Sequence, residues 1–183
     1  MRQLIKPALL GGVTLFAWSM VSWMLLPWHA MTFSKFSNEA TVLQTMWDNG
    51  TESGVYLLPS MGLQTKSKAN TIGVEKHPFV FLVYNRDGCE DMTKKMLWAF
   101  LEDILTAFVL AWLLAQSAVS GFGRRIFFVA CLALFAGLAV HVPNHIWWGH
   151  SMTFTLVSVA DLVLGWTLAG AAIIYLVPKS KKL

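Results

Sequence analysis

Four stretches of this sequence lack charged side chains over lengths that can cross a lipid bilayer, and that feature limits the fold more than any other. Residues 7–28, 104–123, 126–160 and 162–178 contain no Asp, Glu, Lys or Arg. A helix rising about 1.5 Å per residue needs about 20 apolar residues to cross about 30 Å of hydrocarbon. The expected spans run from Pro7 to Trp28, Met96 to Ala118, Ile126 to Val142 and Ser151 to Val177, the third being the shortest. Composition agrees: 13% of residues are charged, where a soluble domain carries about 25%. The expected fold is an all-α membrane protein, a four-helix transmembrane bundle with a small α+β extracytoplasmic domain inserted between helices 1 and 2. Residues 1–28 hold the first helix, 29–95 the inserted domain and 96–183 the remaining three helices.

Basic residues in the short connections set the expected orientation, because they are retained on the cytoplasmic side. Arg2, Lys6, Arg124, Arg125, Lys179, Lys181 and Lys182 all fall in segments free of acidic residues. Both termini are therefore expected in the cytoplasm. Residues 29–95 hold seven basic and seven acidic residues, so this neutral segment is the one expected to be translocated. The net charge of +4 then reflects topology, and no nucleic-acid partner is implied. The first apolar run exceeds the 7–15 residues of a typical signal-peptide core and is followed by no A-x-A-like site, so it reads as a retained helix.

The inserted segment is patterned. Ser37 is a candidate N-cap, with Glu39 in the first turn, and Val42, Leu43, Met46 and Trp47 recur at helical spacing until Asn49-Gly50. Residues 54–59 and 78–84 are apolar runs of strand composition that can pair, and residues 60–77 between them are polar and read as a mobile tip. Asn49-Gly50-Thr51 matches a glycosylation acceptor, but a helix end accounts for it. Trp18, Trp23, Trp28, Trp98, Trp147 and Trp148 read as interfacial anchors. Cys89 is a lone thiol in the inserted segment. Cys131 reads as a small core residue, too far from Cys89 in membrane depth for a disulfide.

Three carboxylates lie inside the apolar spans: Glu102, Asp103 and Asp161. A charge at the centre of a membrane helix costs about 2.5–3.5 kcal/mol, so each needs a partner or a wet cavity. Ser158, Asp161, Gly165 and Ala169 share one helix face, which places Asp161 in a small-residue contact with another helix. Asp161 is thus either a hydrogen-bonding hub, with Ser158, Thr155 or a neighbouring helix, or a proton or cation site shared with Glu102 or Asp103. His29, His141, His145 and His150 cluster at the expected outer ends of the spans and are candidate metal ligands. His141 and His145 have i, i+4 spacing, but Pro143 is expected to end the third helix near Val142 and break it. No cofactor is expected beyond such a metal ion.

Catalytic signatures are missing: the sequence has no G-x-S-x-G elbow, no Walker loop, no H-E-x-x-H and no haem-attachment motif. Gly121-Phe122-Gly123 reads as a tight turn. The stretch Asn144-His145-Ile146-Trp147-Trp148-Gly149, with Thr153-Phe154-Thr155-Leu156, Asp161 and Gly165-Trp166, resembles small uncharacterised four-helix bacterial inner-membrane proteins. The boundary Met24-Leu25-Leu26-Pro27-Trp28-His29 adds to that likeness. The resemblance implies an inner-membrane setting and no particular activity. The expected function is non-enzymatic: an accessory, assembly or stabilising subunit whose partners are the bilayer and other membrane subunits or its own copies. Small-residue pairs, Ala133 with Gly137 and Gly165 with Ala169, permit such close helix contacts. The alternative is a small oligomeric transporter or ion-binding protein using the carboxylates and histidines.

Overall fold

The structure is a computed structural model in which residues 2–59, 78–88 and 91–177 are described. It is mostly helical, and four helices are long and apolar enough to cross a membrane. They are α1 (Arg2–Met20), which continues through a π-helical turn at Val21–Leu25, α3 (Met92–Gln116), α4 (Phe122–Trp148) and α5 (Met152–Leu176). Between the first two lie a 3-10 turn (Ala30–Thr32), α2 (Glu39–Asn49) and the strands β1 (Gly54–Leu58) and β2 (Val80–Tyr84).

In the bundle α1 packs against both α3 and α5, while α4 packs on the other side of α5 and hardly meets α3. Glycines allow this closeness. A Cβ added at Gly12 would lie 2.7 Å from Ile104 Cγ1 and 2.8 Å from its Cα, so α1 rests almost on the α3 backbone. One at Gly11 would lie 2.5 Å from Ile173 Cγ1 on α5. Gly165 and Ala169 on α5 are buried, and the neighbour of Gly165 is α1: a Cβ there would lie 2.7 Å from Trp18 Cδ1. Gly137 on α4 faces Val159 on α5, and Gly170 on α5 faces Val129 on α4. The core joining these contacts includes Leu4, Leu110, Leu114, Val129 and Ile173. At the same end, Arg125 Nη2 donates to the Leu114 carbonyl at 3.3 Å and so ties α4 to the end of α3.

The helix expected to end near Val142 runs through Pro143 to Trp148. Proline removes one amide donor, but near a helix end that loss is small beside the cost of exposing several backbone groups to hydrocarbon. Gly149 supplies the actual stop. It adopts φ 73°, a conformation glycine takes without strain, and the His150 amide donates back to Asn144 O at 3.4 Å. Cys131 faces outward rather than into the core, since α4 turns only one stripe toward α5.

The inserted segment forms the expected helix and hairpin. The N-cap of α2 is Asn38, not Ser37: its Oδ1 accepts from the Thr41 amide at 3.0 Å. The strands are antiparallel, with Tyr56 opposite Leu82. Arg86 joins the hairpin to α2, stacking 4.6 Å over the Trp47 ring and donating to the carbonyls of Trp47 and Gly50. Phe81 stacks on Trp148 at 4.8 Å, and Phe33 meets Phe154 edge-on at 5.9 Å. The unit therefore sits where α4 ends and α5 begins. Residues 60–77 and Cys89 lie outside the described residues.

Candidate functional site

The π-helical turn ends α1 with a bond from the Leu26 amide to the Val21 carbonyl at 3.1 Å. Such turns leave carbonyls without their usual helical donors, and they recur at functional sites. Here Trp28 supplies a donor. The chain reverses after Leu26, and Trp28 Nε1 donates to both the carbonyl and the hydroxyl of Ser22 at 3.1 Å. That reversal carries His29 back into the bundle, where it is 3% exposed and Ser22 is wholly buried.

Asp161, on α5, is the acceptor at the centre. Its Oδ1 accepts from Trp18 Nε1 and from Ser22 Oγ, both at 2.7 Å. Its Oδ2 lies 3.1 Å from His29 Nε2, which is also 3.1 Å from Ser22 Oγ. The Trp23 ring lies flat over the imidazole, with centroids 3.8 Å apart and planes 7° apart. Trp28 meets the same ring edge-on at 5.6 Å.

These bonds restrict where protons can sit. Indole N–H only donates, so Oδ1 must accept from Trp18. The Ser22 hydroxyl has a single proton, and its contact with Oδ1 uses it; the Ser22 oxygen can then accept from Trp28 and His29. The proton left to distribute lies between Oδ2 and Nε2. Either the imidazole donates to a carboxylate, as an ion pair if both its nitrogens are protonated, or a carboxylic acid donates to Nε2. Both arrangements keep the bonds to Oδ1 and the one between Oδ2 and Nε2; in the second, Nε2 has no proton for Ser22 Oγ, and only that contact is given up.

Asp161 thus takes its hydrogen bonds from α1 and the reversal after it. Ser158, Glu102 and Asp103 give it none, and Thr155 Oγ1 donates instead to Ser151 O at 3.0 Å. Glu102 is exposed on α3, and Asp103 is buried at 7% exposure. The histidines separate as well. His29 joins Asp161, while His145 Nδ1 lies 2.6 Å from His150 O and the His150 ring meets Phe154 edge-on at 5.1 Å. No three His, Cys, Asp or Glu among the described residues form a group that could hold a metal ion.

Three of the six tryptophans read as interfacial anchors, Trp18, Trp23 and Trp28, build this site. Trp98 and Trp147 are largely exposed, at 69% and 72%. The spacing of Trp18 and Ser22 at i, i+4, facing Asp161's small-residue stripe, is the signal that could have found the site. Ser22 passed unremarked in the sequence because a serine near a span end is ordinary.

Fold and site together define a multi-pass membrane protein in which a partly buried carboxylate on α5 meets a buried imidazole carried by the turn after α1. Comparison with protein-family models gives no match, and neither the curated proteins nor the solved structures give a significant one.

Proposed function

We propose that this chain is a non-enzymatic protein of the bacterial inner membrane that binds a proton at the His29–Asp161 pair, and that the pair's protonation sets how firmly the end of α1 is held to α5. The observation that carries this is the 3.1 Å approach of Nε2 to Oδ2 with every other position on Oδ1 and Ser22 already committed. Neutral side chains can tie two membrane helices together, so an ionisable pair in this setting favours a role for its proton. In this reading both termini are cytoplasmic and residues 29–95 face the periplasm, supported by the seven basic residues in the terminal and α3–α4 segments.

Infrared difference spectra of the reconstituted protein between acidic and alkaline buffer test the proton site. A carboxyl band that disappears in Asp161→Asn and shifts in His29→Gln supports it, and a spectrum unchanged by both replacements refutes it. Cysteine labelling from each side of the membrane tests the topology, and is expected to find residues 60–77 and the C-terminal tail on opposite sides.

A second reading, an accessory or assembly subunit, draws support from α2. None of its residues is buried, and Leu43 and Trp47 stand 66% and 53% exposed, an apolar side that a partner subunit would cover. Purification in mild detergent followed by mass spectrometry distinguishes a complex with foreign subunits from the chain alone.

A further inference from the structure

Because α3 and α4 stand apart, an apolar groove of about 370 Å³ opens between them, running from Leu113 to Thr106 along α3 and from Val129 to Ala136 along α4. Trp166 on α5 forms part of its lining. One turn before Val129, on the same face of α4, is Arg125, which places an arginine at one end of the groove.

Arg125 is unusual in its own right. It is 5% exposed, its Nη2 reaches the last turn of α3, and its Nε is buried with no hydrogen-bond partner among the described residues. Nearly all buried donors are paired, so an unpaired guanidinium nitrogen points to a missing acceptor. The surroundings suit an anion. Gly121 caps α4 without a side chain, which leaves the amides of the first turn open, and Arg124 stands beside Arg125 with only Ser120 Oγ near its Nη2, at 3.3 Å.

Length then selects the occupant. From Arg125 to Ala136 is eleven residues, about 16 Å of helix, which matches one leaflet of a bilayer whose hydrocarbon is about 30 Å thick. A partner helix would need a groove along the whole span. A chain anchored by an anionic head at one interface needs only this half.

We propose that the α3/α4 groove holds an acyl chain of an anionic phospholipid whose phosphate is bound by Arg125. Basic pockets between membrane helices take lipid headgroups in this manner. The site is independent of the His29–Asp161 pair.

Native mass spectrometry of the full chain in detergent, titrated with phosphatidylglycerol and with phosphatidylcholine, tests this. One phosphatidylglycerol should be retained per chain, with a preference over phosphatidylcholine of about fivefold, as one well-placed basic residue confers. Arg125→Gln should abolish the preference, and Arg125→Lys should keep part of it. Ala136→Phe, which fills an exposed position of the groove, should reduce retention of both lipids while helical content by circular dichroism is unchanged. Equal retention of the two lipids by the unmodified chain overturns the proposal, as does retention indifferent to Ala136→Phe. Displacement of phosphatidylglycerol by inorganic phosphate alone also overturns it, in favour of a free-anion site.

Discussion

Replacing Asp161 with alanine removes the acceptor for Trp18, Ser22 and His29 at once, and the two replacements Asp161→Ala and Asp161→Asn separate geometry from charge. Hydrogen bonds between membrane helices contribute about 0.6 kcal/mol each on average and about 1.7 at most. Three such bonds put the cost of Asp161→Ala at about 2 kcal/mol, with an upper bound of about 5. Two kcal/mol is roughly a 30-fold change in the unfolding equilibrium. Asparagine behaves differently. Its Oδ1 still accepts from Trp18 and Ser22, and its amide N–H can donate to Nε2 once the imidazole carries its proton on Nδ1. Asp161→Asn should therefore cost no more than about one such bond, about 0.6 kcal/mol, while removing the exchangeable proton. Unfolding in mixed micelles by added dodecyl sulfate, followed by tryptophan emission, measures both. If Asp161→Ala costs less than about 0.5 kcal/mol, the three bonds do not hold α1 to α5. If Asp161→Asn is as damaging as Asp161→Ala, charge rather than acceptor geometry holds α1 to α5, and the three-bond account fails.

Gly165→Ala puts a methyl 2.7 Å from Trp18 Cδ1; forcing the indole aside should cost about 1–3 kcal/mol, and the same unfolding assay should show a smaller Asp161→Ala effect in this background, because the Trp18 bond is already lost while those from Ser22 and His29 remain. Gly12→Ala meets the Ile104 backbone at 2.8 Å, where no rotamer change gives relief, whereas Gly123 has nothing within 4 Å. Gly12→Ala should therefore destabilise far more than Gly123→Ala in a thermal aggregation assay. Arg86→Ala removes the stack on Trp47 and the contacts to the Trp47 and Gly50 carbonyls; about 1–2 kcal/mol of local stability should go, read as faster proteolysis of the inserted segment with the membrane helices intact.

The spans were legible because hydrocarbon imposes a length and a polarity that few other folds share. What stayed hidden depended on where the chain turns. Pro143 looked like a stop because its local effect is unfavourable to a helix, yet the stop was Gly149, whose positive φ no spacing rule weighs against a proline six residues earlier. His29 grouped with the other histidines by depth, but the reversal at Pro27 and Trp28 folds it back against α5. Its partner Asp161 is 132 residues away, and a separation that long leaves no periodic trace. Gly11 and Gly12 drew no notice beside the long apolar run around them, although they set the spacing of α1 from both neighbours.

These glycines and the polar junction divide the labour along α1. Near Gly11 and Gly12 the helix is wedged between Ala107 and Ile173 on either side and against the Ile104 backbone, contacts that depend on shape and do not respond to protonation. From Trp18 onward its attachment to α5 relies on the acceptor Asp161 and the donors around it. A change of charge at the pair therefore acts on one end of a helix whose other end is fixed by packing. The Val21–Leu25 turn sits between the two regimes, and a π-helical turn is where a helix can change its hydrogen-bond register at least cost. The expected response to protonation is thus a local one, at Val21–Thr32 and the inserted segment that follows, with the α3–α1–α5 packing unchanged.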